Sequence, residues 1–212
     1  HIAKVAPPKH SGSLSYGTLL HIWGEIGDKP FWSQAKTIPI ELCTATGAVA
    51  KKAKSWVEDQ GPDAIIISPS DEKKLRHQTE ALLRNPEVRK ILSQTIDTEF
   101  NIRWLWEGSP CRSRVDGMTE ESFYDWKTCR DENPIATWYK SCLKWGYDMQ
   151  SAMYQNAAIA VDYPSTRMQF IVTSTLWPYE NAVVVLPYEV LQQGYTKCMN
   201  LLEELDRKST RL

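Results

Sequence analysis

No run of about 18 apolar residues occurs in the chain, so no membrane span is expected. No basic-then-apolar leader opens it, and a secretory signal is not expected either. The chain begins on His1 rather than methionine, as a trimmed start or a tag remnant does. Cysteine is sparse and odd in number: Cys43, Cys111, Cys129, Cys142 and Cys198 lie scattered, none in C-x-x-C. That usage fits a reducing cytosol better than a disulfide framework. A G-x-S-x-G elbow is missing, which removes the main support for a Ser-His-Asp hydrolase. Charge of one sign is also missing: 25 basic and 26 acidic residues leave a formal net charge of −1. Nucleic-acid binders are often basic, so this balance counts mildly against a nucleic-acid partner unless charge is segregated. Lys51, Lys52 and Lys54, with Arg112, Arg114 and Arg130, can line a groove while acids sit elsewhere; for the lysines a solvated helix face is the favoured alternative. Internal repeats and low-complexity tracts are absent.

What is present suggests one folded domain. The chain has 212 residues, 42% of them hydrophobic, enough for a real core. Residues 1–13, with Pro7, Pro8 and Gly12, read as a flexible lead, and 14–212 as a single domain. A helix is expected from Ser15, with His21 among Leu19, Leu20, Ile22 and Trp23. Phe31–Leu42 reads as loop with a short strand, and Ala45–Gln60 as a helix ended by Gly61-Pro62. A strand at Ala64–Ile67 precedes a helix over Asp71–Arg84 capped by Ser70, and Asn85-Pro86 opens another. A helix follows Asn133-Pro134, and strands are expected near Arg167–Leu176 and Ala182–Leu186. The closing helix, about Tyr188–Asp206, has the stripe Leu191, Tyr195, Cys198, Leu202 and Leu205. Nine tryptophans are many for this length. Trp23, Trp32 or Trp177 can stack on bases or fill an interface, with core packing the default for any one.

The centre of the chain carries the chemistry. Glu99-Phe-Asn-Ile-Arg-Trp-Leu-Trp106 alternates as a strand, with Phe100, Ile102, Trp104 and Trp106 on one face and Glu99 starting the other. After the Gly108-Ser109-Pro110 turn, Cys111–Met118 and Ser122–Thr128 give two more strands. This meander can bring Glu99, Asp116 and Asp125 to one end of a sheet. In the extended Asp125-Trp-Lys127, acid and base share a face. Two carboxylates about 4 Å apart repel by about 4 kcal/mol at an effective dielectric near 20, so such a cluster holds a proton or a cation. Oxygen-only ligands suit a hard ion such as magnesium, which acidifies water and neutralises charge building on phosphorus. Lys127 can orient water or offset that charge. For D-x-K alone, the plain alternative is a surface hairpin with an ordinary salt bridge. Gly146–Tyr154 then reads as a helix, with Tyr147, Gln150 and Tyr154 on one face.

Taken in order, these pieces resemble the PD-(D/E)xK nuclease superfamily, and within it the phage-type recombination exonucleases related to RecE and lambda exonuclease. The pieces are Gly17-Thr-Leu-Leu-His21, Glu99, Cys-Arg-Ser-Arg-Val-Asp116, Asp125-Trp-Lys127-Thr, and Gly146-Tyr-Asp-Met-Gln150-Ser-Ala-Met-Tyr154, the last matching the Q-x-x-x-Y signature of RecB-type nucleases. The resemblance implies an α/β (α+β) fold with a central mixed β-sheet flanked by helices. It implies metal ligation by Asp116, Asp125, the Trp126 backbone carbonyl, Glu99 and His21. Lys127 would position or activate the attacking water, Gln150 the water or scissile phosphate, and Tyr154 would support the site. Arg112 and Arg114 are candidates for the DNA backbone. Related iron–sulfur nucleases use four cysteines around the fold; the five here lack that arrangement, so neither a cluster nor a structural zinc is expected.

The implied activity is a magnesium-dependent, cytoplasmic exonuclease acting on double-stranded DNA ends, with manganese able to substitute. It would digest one strand 5′ to 3′ and leave 3′ single strands for a single-strand annealing protein. Enzymes of this type form ring-shaped homo-oligomers, trimers or tetramers, whose closed channel gives processivity. The alternatives are an endonuclease or single-strand nuclease of the same superfamily, and a non-catalytic DNA-binding module on the same fold.

Overall fold

Local signals set the helix ends. The structure, a computed structural model, describes residues 15–44 and 51–209. The lead expected over 1–13 lies outside the described residues, as do 45–50 at the start of the helix expected from Ala45. Within the span expected to be one domain, the described residues form two compact units, one within Val5–Arg84 and one within Asn85–Leu212.

In the first unit, α1 (Tyr16–Ile26) is capped by the Ser15 hydroxyl, which accepts the Thr18 N–H at 3.3 Å. It ends at Gly27, whose φ of 85° suits glycine. A helix, α2 (Asp28–Gln34), stands where a loop was expected. Asp28 explains it: its carboxylate sits in the first turn and accepts the indole N–H groups of Trp23 at 3.0 Å and Trp32 at 2.9 Å. Trp23 is therefore core, and Trp32 lies beneath the Arg76 guanidinium. Strands β1 (Ala35–Thr37) and β2 (Ile65–Ile67) pair in parallel, and α3 (Lys54–Asp59) falls between them in sequence. The next helix, α4 (Pro69–Arg84), is capped by Ser68 rather than Ser70: the Ser68 hydroxyl accepts the Asp71 N–H at 3.1 Å.

The second unit opens with α5 (Pro86–Gln94), capped by Asn85. Its sheet runs β3 (Asp97–Trp106), β4 (Ser109–Met118), β5 (Phe123–Cys129), β6 (Met168–Ser174) and β7 (Asn181–Val184), in that spatial order. Only β5 and β6 pair in parallel, so the sheet is mixed. The parallel step needs a crossover, supplied by α6 (Pro134–Trp145) and α7 (Tyr147–Ala160). One core joins these helices and α8 (Tyr188–Ser209) to the sheet face bearing Ile102, Trp104, Trp106, Phe123 and Phe170. Of the expected α8 stripe, Leu191, Cys198 and Leu202 join that core, whereas Leu205 is 61% exposed. Opposite this face, Thr95 at the end of α5 hydrogen-bonds the Tyr124 hydroxyl at 3.0 Å.

Two glycines aim α7. Gly146 takes a left-handed conformation (φ 70°, ψ 29°), ending α6 and letting α7 start at once. Gly194 lets α8 touch α7: a Cβ there would lie 2.2 Å from the Asp148 carbonyl oxygen. The fully buried Asp148 pairs with Lys197 of α8 at 2.6 Å. Among the described residues, no helix is long and apolar enough to cross a membrane.

Candidate active site

Strands β4 and β5 begin as partners and then part. At their turn the Thr119 N–H donates to the Ser122 carbonyl at 2.8 Å, and the ladder pairs Met118 with Phe123 and Gly117 with Tyr124. Glycine is required at 117, because a Cβ would lie 2.1 Å from the Tyr124 ring. The ladder stops there, and side chains take up backbone groups that a neighbouring strand ordinarily satisfies. The Asp116 carboxylate accepts the Trp126 N–H at 2.8 Å. The Tyr154 hydroxyl, reaching across from α7, donates to the Arg114 carbonyl at 2.6 Å.

That gap holds the chemistry. Asp125 is only 2% exposed. Gln150 donates its amide to Asp125 Oδ1 at 2.9 Å and to the Tyr154 hydroxyl at 3.0 Å. Lys127 forms an ion pair with Asp125 Oδ2, so the acid and base expected on one face do meet. The Lys127 ammonium also sits 4.5 Å from the Tyr147 ring centroid. Burial, and then the Asp125 charge, push the Asp116 carboxyl from 3.8 up to about 7, although the Trp126 N–H, Lys127 and Arg114 pull the other way. Burial and Asp125 likewise push the Tyr154 hydroxyl well above the ordinary tyrosine range, so it remains a proton donor at neutral pH.

Glu99 completes the cluster. It lies opposite Asp116, between the Thr98–Gly117 and Phe100–Val115 pairs, and its carboxylate comes within 4.8 Å of that of Asp116. Its φ of 54° is rare for a residue with a side chain. Such backbone costs of order 1–3 kcal/mol and concentrates at functional sites. Arg114 forms an ion pair with Glu99, whereas Arg112 lies outside the cluster and donates to Asn101 at 2.8 Å. His21 lies on α1, in the first unit, half-buried.

The donors fit a hard divalent cation. Asp116, Asp125 and Glu99 offer only oxygen, and burial first, then the neighbouring Asp125 charge, make an ionised Asp116 costly there, a cost that a bound cation would relieve. Sequence reasoning missed the Arg114–Glu99 pair and the parting of β4 from β5. The one available signal was Gly117 directly after Asp116, a residue that in a strand often marks close backbone approach.

The same reading follows from comparison. Residues 4–210 match the family described as a PDDEXK-like domain of unknown function (DUF3799). The chain belongs to that family. It is thus a member of the PD-(D/E)xK nuclease superfamily, with the α/β architecture of a mixed sheet flanked by helices. The crystal structure of a candidate exonuclease from Eubacterium rectale superposes with a TM-score of 0.60 at 14% identity, covering 97% of this chain and 71% of that one. At that identity the likeness speaks for the fold. No curated protein matches the chain.

Proposed function

We propose that this PDDEXK-like domain is a magnesium-dependent exonuclease that degrades one strand of linear double-stranded DNA. The observation that carries the reading is the gap between β4 and β5, where Asp116, Asp125, Lys127 and Gln150 converge. Asp116, Asp125, the Trp126 carbonyl and Glu99 would hold the ion, which supplies acidification of water and neutralisation of phosphoryl charge. Lys127 orients the attacking water and offsets charge on the phosphate. Gln150 fixes the Asp125 carboxylate, and Tyr154 fixes Gln150 while tying α7 to β4. Arg112 and Arg114 face the DNA backbone, Arg114 also neutralising Glu99. Manganese, with the same oxygen preference, substitutes for magnesium.

The resemblance to RecE and lambda exonuclease supports the finer points. These are 5′ to 3′ polarity, a processive ring of three or four chains, and a single-strand annealing protein that takes the 3′ strand. The free thiols suit work in the cytoplasm of a bacterial or phage-infected cell. The test is nucleotide release from a linear duplex and from the same DNA as a closed circle, with magnesium or with EDTA. Release from the linear form alone, abolished by EDTA, is expected. Cutting of the circle would transfer the assignment to an endonuclease.

A further inference from the structure

The parallel strands β5 and β6 end at Cys129 and Ser174. In open α/β sheets, ligands collect outside the carboxyl ends of the strands. At the end of β5 lies a cleft of about 540 Å³, within the roughly 300–1,000 Å³ typical of small-molecule sites. Lys127 borders it, so it is continuous with the carboxylate centre. Trp138 and Tyr147 line it and stack on each other, with centroids 5.5 Å apart and planes 18° apart. Trp145, also in the lining, is 63% exposed, with the Lys144 ammonium 4.9 Å from its ring centroid. Arg130, in the lining too, is exposed, and no hydrogen bond or ion pair engages it among the described residues. The acid of the lining, Asp131, has its carboxylate turned onto the Asn133 N–H at 3.0 Å.

We propose that this cleft holds one unpaired nucleotide of the substrate strand beside the scissile phosphate, its base stacked on Trp145 and its phosphate paired with Arg130. The proposal rests on the nuclease reading above. An exposed indole next to a cation is suited to a base, because every base has a face to stack whatever its identity. A planar guanidinium without a carboxylate partner is suited to phosphate. Lys127, at the inner end, would then meet the neighbouring phosphodiester. The site is therefore indifferent to sequence, and it also accepts the free mononucleotide that stepwise hydrolysis releases.

The test is equilibrium dialysis of the full chain with deoxyadenosine 5′-monophosphate in EDTA, so that metal-dependent hydrolysis plays no part. One nucleotide per chain is expected. Trp145→Ala and Arg130→Gln should each weaken it by about tenfold or more, the order seen when a stacking aromatic is removed. Both side chains are exposed, and unchanged circular dichroism would establish that the variants fold. Deoxyribose 5-phosphate, which has no base, should bind weakly and respond to Arg130→Gln but not to Trp145→Ala. Absence of nucleotide uptake, or equal affinity in all three proteins, would overturn the proposal. DNA cleavage by the same preparations separates the two readings. Cleavage with nucleotide affinity unmoved by either substitution keeps the nuclease and removes the cleft. Affinity lost in both variants, without cleavage of any DNA, keeps a nucleotide site and removes the nuclease.

Discussion

Neutralising Asp116 should strengthen the metal-free fold while destroying its metal site. The Asp116 carboxyl titrates at about 7 in the folded chain, against 3.8 for the ordinary group. A raised folded-state value means that the group's contribution is fully present below the unfolded pKa and is lost as pH rises through the folded one. The window therefore runs from 3.8 to about 7. At roughly 1.4 kcal/mol per unit, the raised value opposes folding by on the order of 4 kcal/mol at about pH 8, where the folded group is ionised, and by about 1.5 kcal/mol at about pH 5, where folding must take up a proton. Asp116→Asn keeps an oxygen for the Trp126 N–H and removes the titration. The intrinsic difference between amide and carboxyl cancels when the two pH values are compared. The variant should thus gain about 2–3 kcal/mol more over the parent at pH 8 than at pH 5, which is roughly 5–10 °C in Tm for a chain of this size. The assay is thermal unfolding of both proteins in EDTA at each pH. Magnesium should then raise the Tm of the parent at pH 8 and leave that of the variant unmoved. An equal gap between parent and variant at both pH values would refute the argument, since the Asp116 carboxyl would then not be held in a charge-hostile place.

Other outcomes follow from the same geometry. Asp125→Ala or Lys127→Ala should abolish cleavage while DNA binding largely survives, as a gel-shift titration run beside the cleavage assay will read. Gln150→Ala takes away a donor to Asp125 Oδ1 and should slow the single-turnover chemical step more than it weakens binding; an unchanged step would argue against its role. At limiting magnesium, cleavage should rise with pH through about 7, because protons compete for Asp116. Gly117→Ala drives a Cβ to 2.1 Å from the Tyr124 ring, and an overpacking loss of about 1–3 kcal/mol should appear in urea unfolding.

Short-range rules made most of the second unit legible. Alternation in β3 identified its buried face, and Asn-Pro pairs marked the starts of α5 and α6. The D-x-K spacing alone put Asp125 and Lys127 together, since a strand repeats every two residues. What stayed hidden depended on partners far away in sequence. Asp28 builds α2 by accepting two indoles, which no local propensity records. Ser68 displaced Ser70 as a cap because the helix starts two residues earlier than its polar pattern suggested. The parting of β4 from β5 depends on Tyr154 reaching Arg114 across the sheet, a contact spanning 40 residues. Arg114, a candidate for the DNA backbone in sequence, also meets Glu99, because β3 and β4 set them side by side.

The central claim is that the Asp116–Asp125–Lys127 centre hydrolyses DNA from an end. The most direct measurement follows linear duplex DNA labelled at the 5′ or the 3′ end, with magnesium or EDTA, using the parent protein and Lys127→Ala. Rapid magnesium-dependent loss of the 5′ label by the parent, with the 3′ label retained until late and no loss with Lys127→Ala, is the predicted result. Full activity in Lys127→Ala, or an intact duplex under every condition, would contradict it.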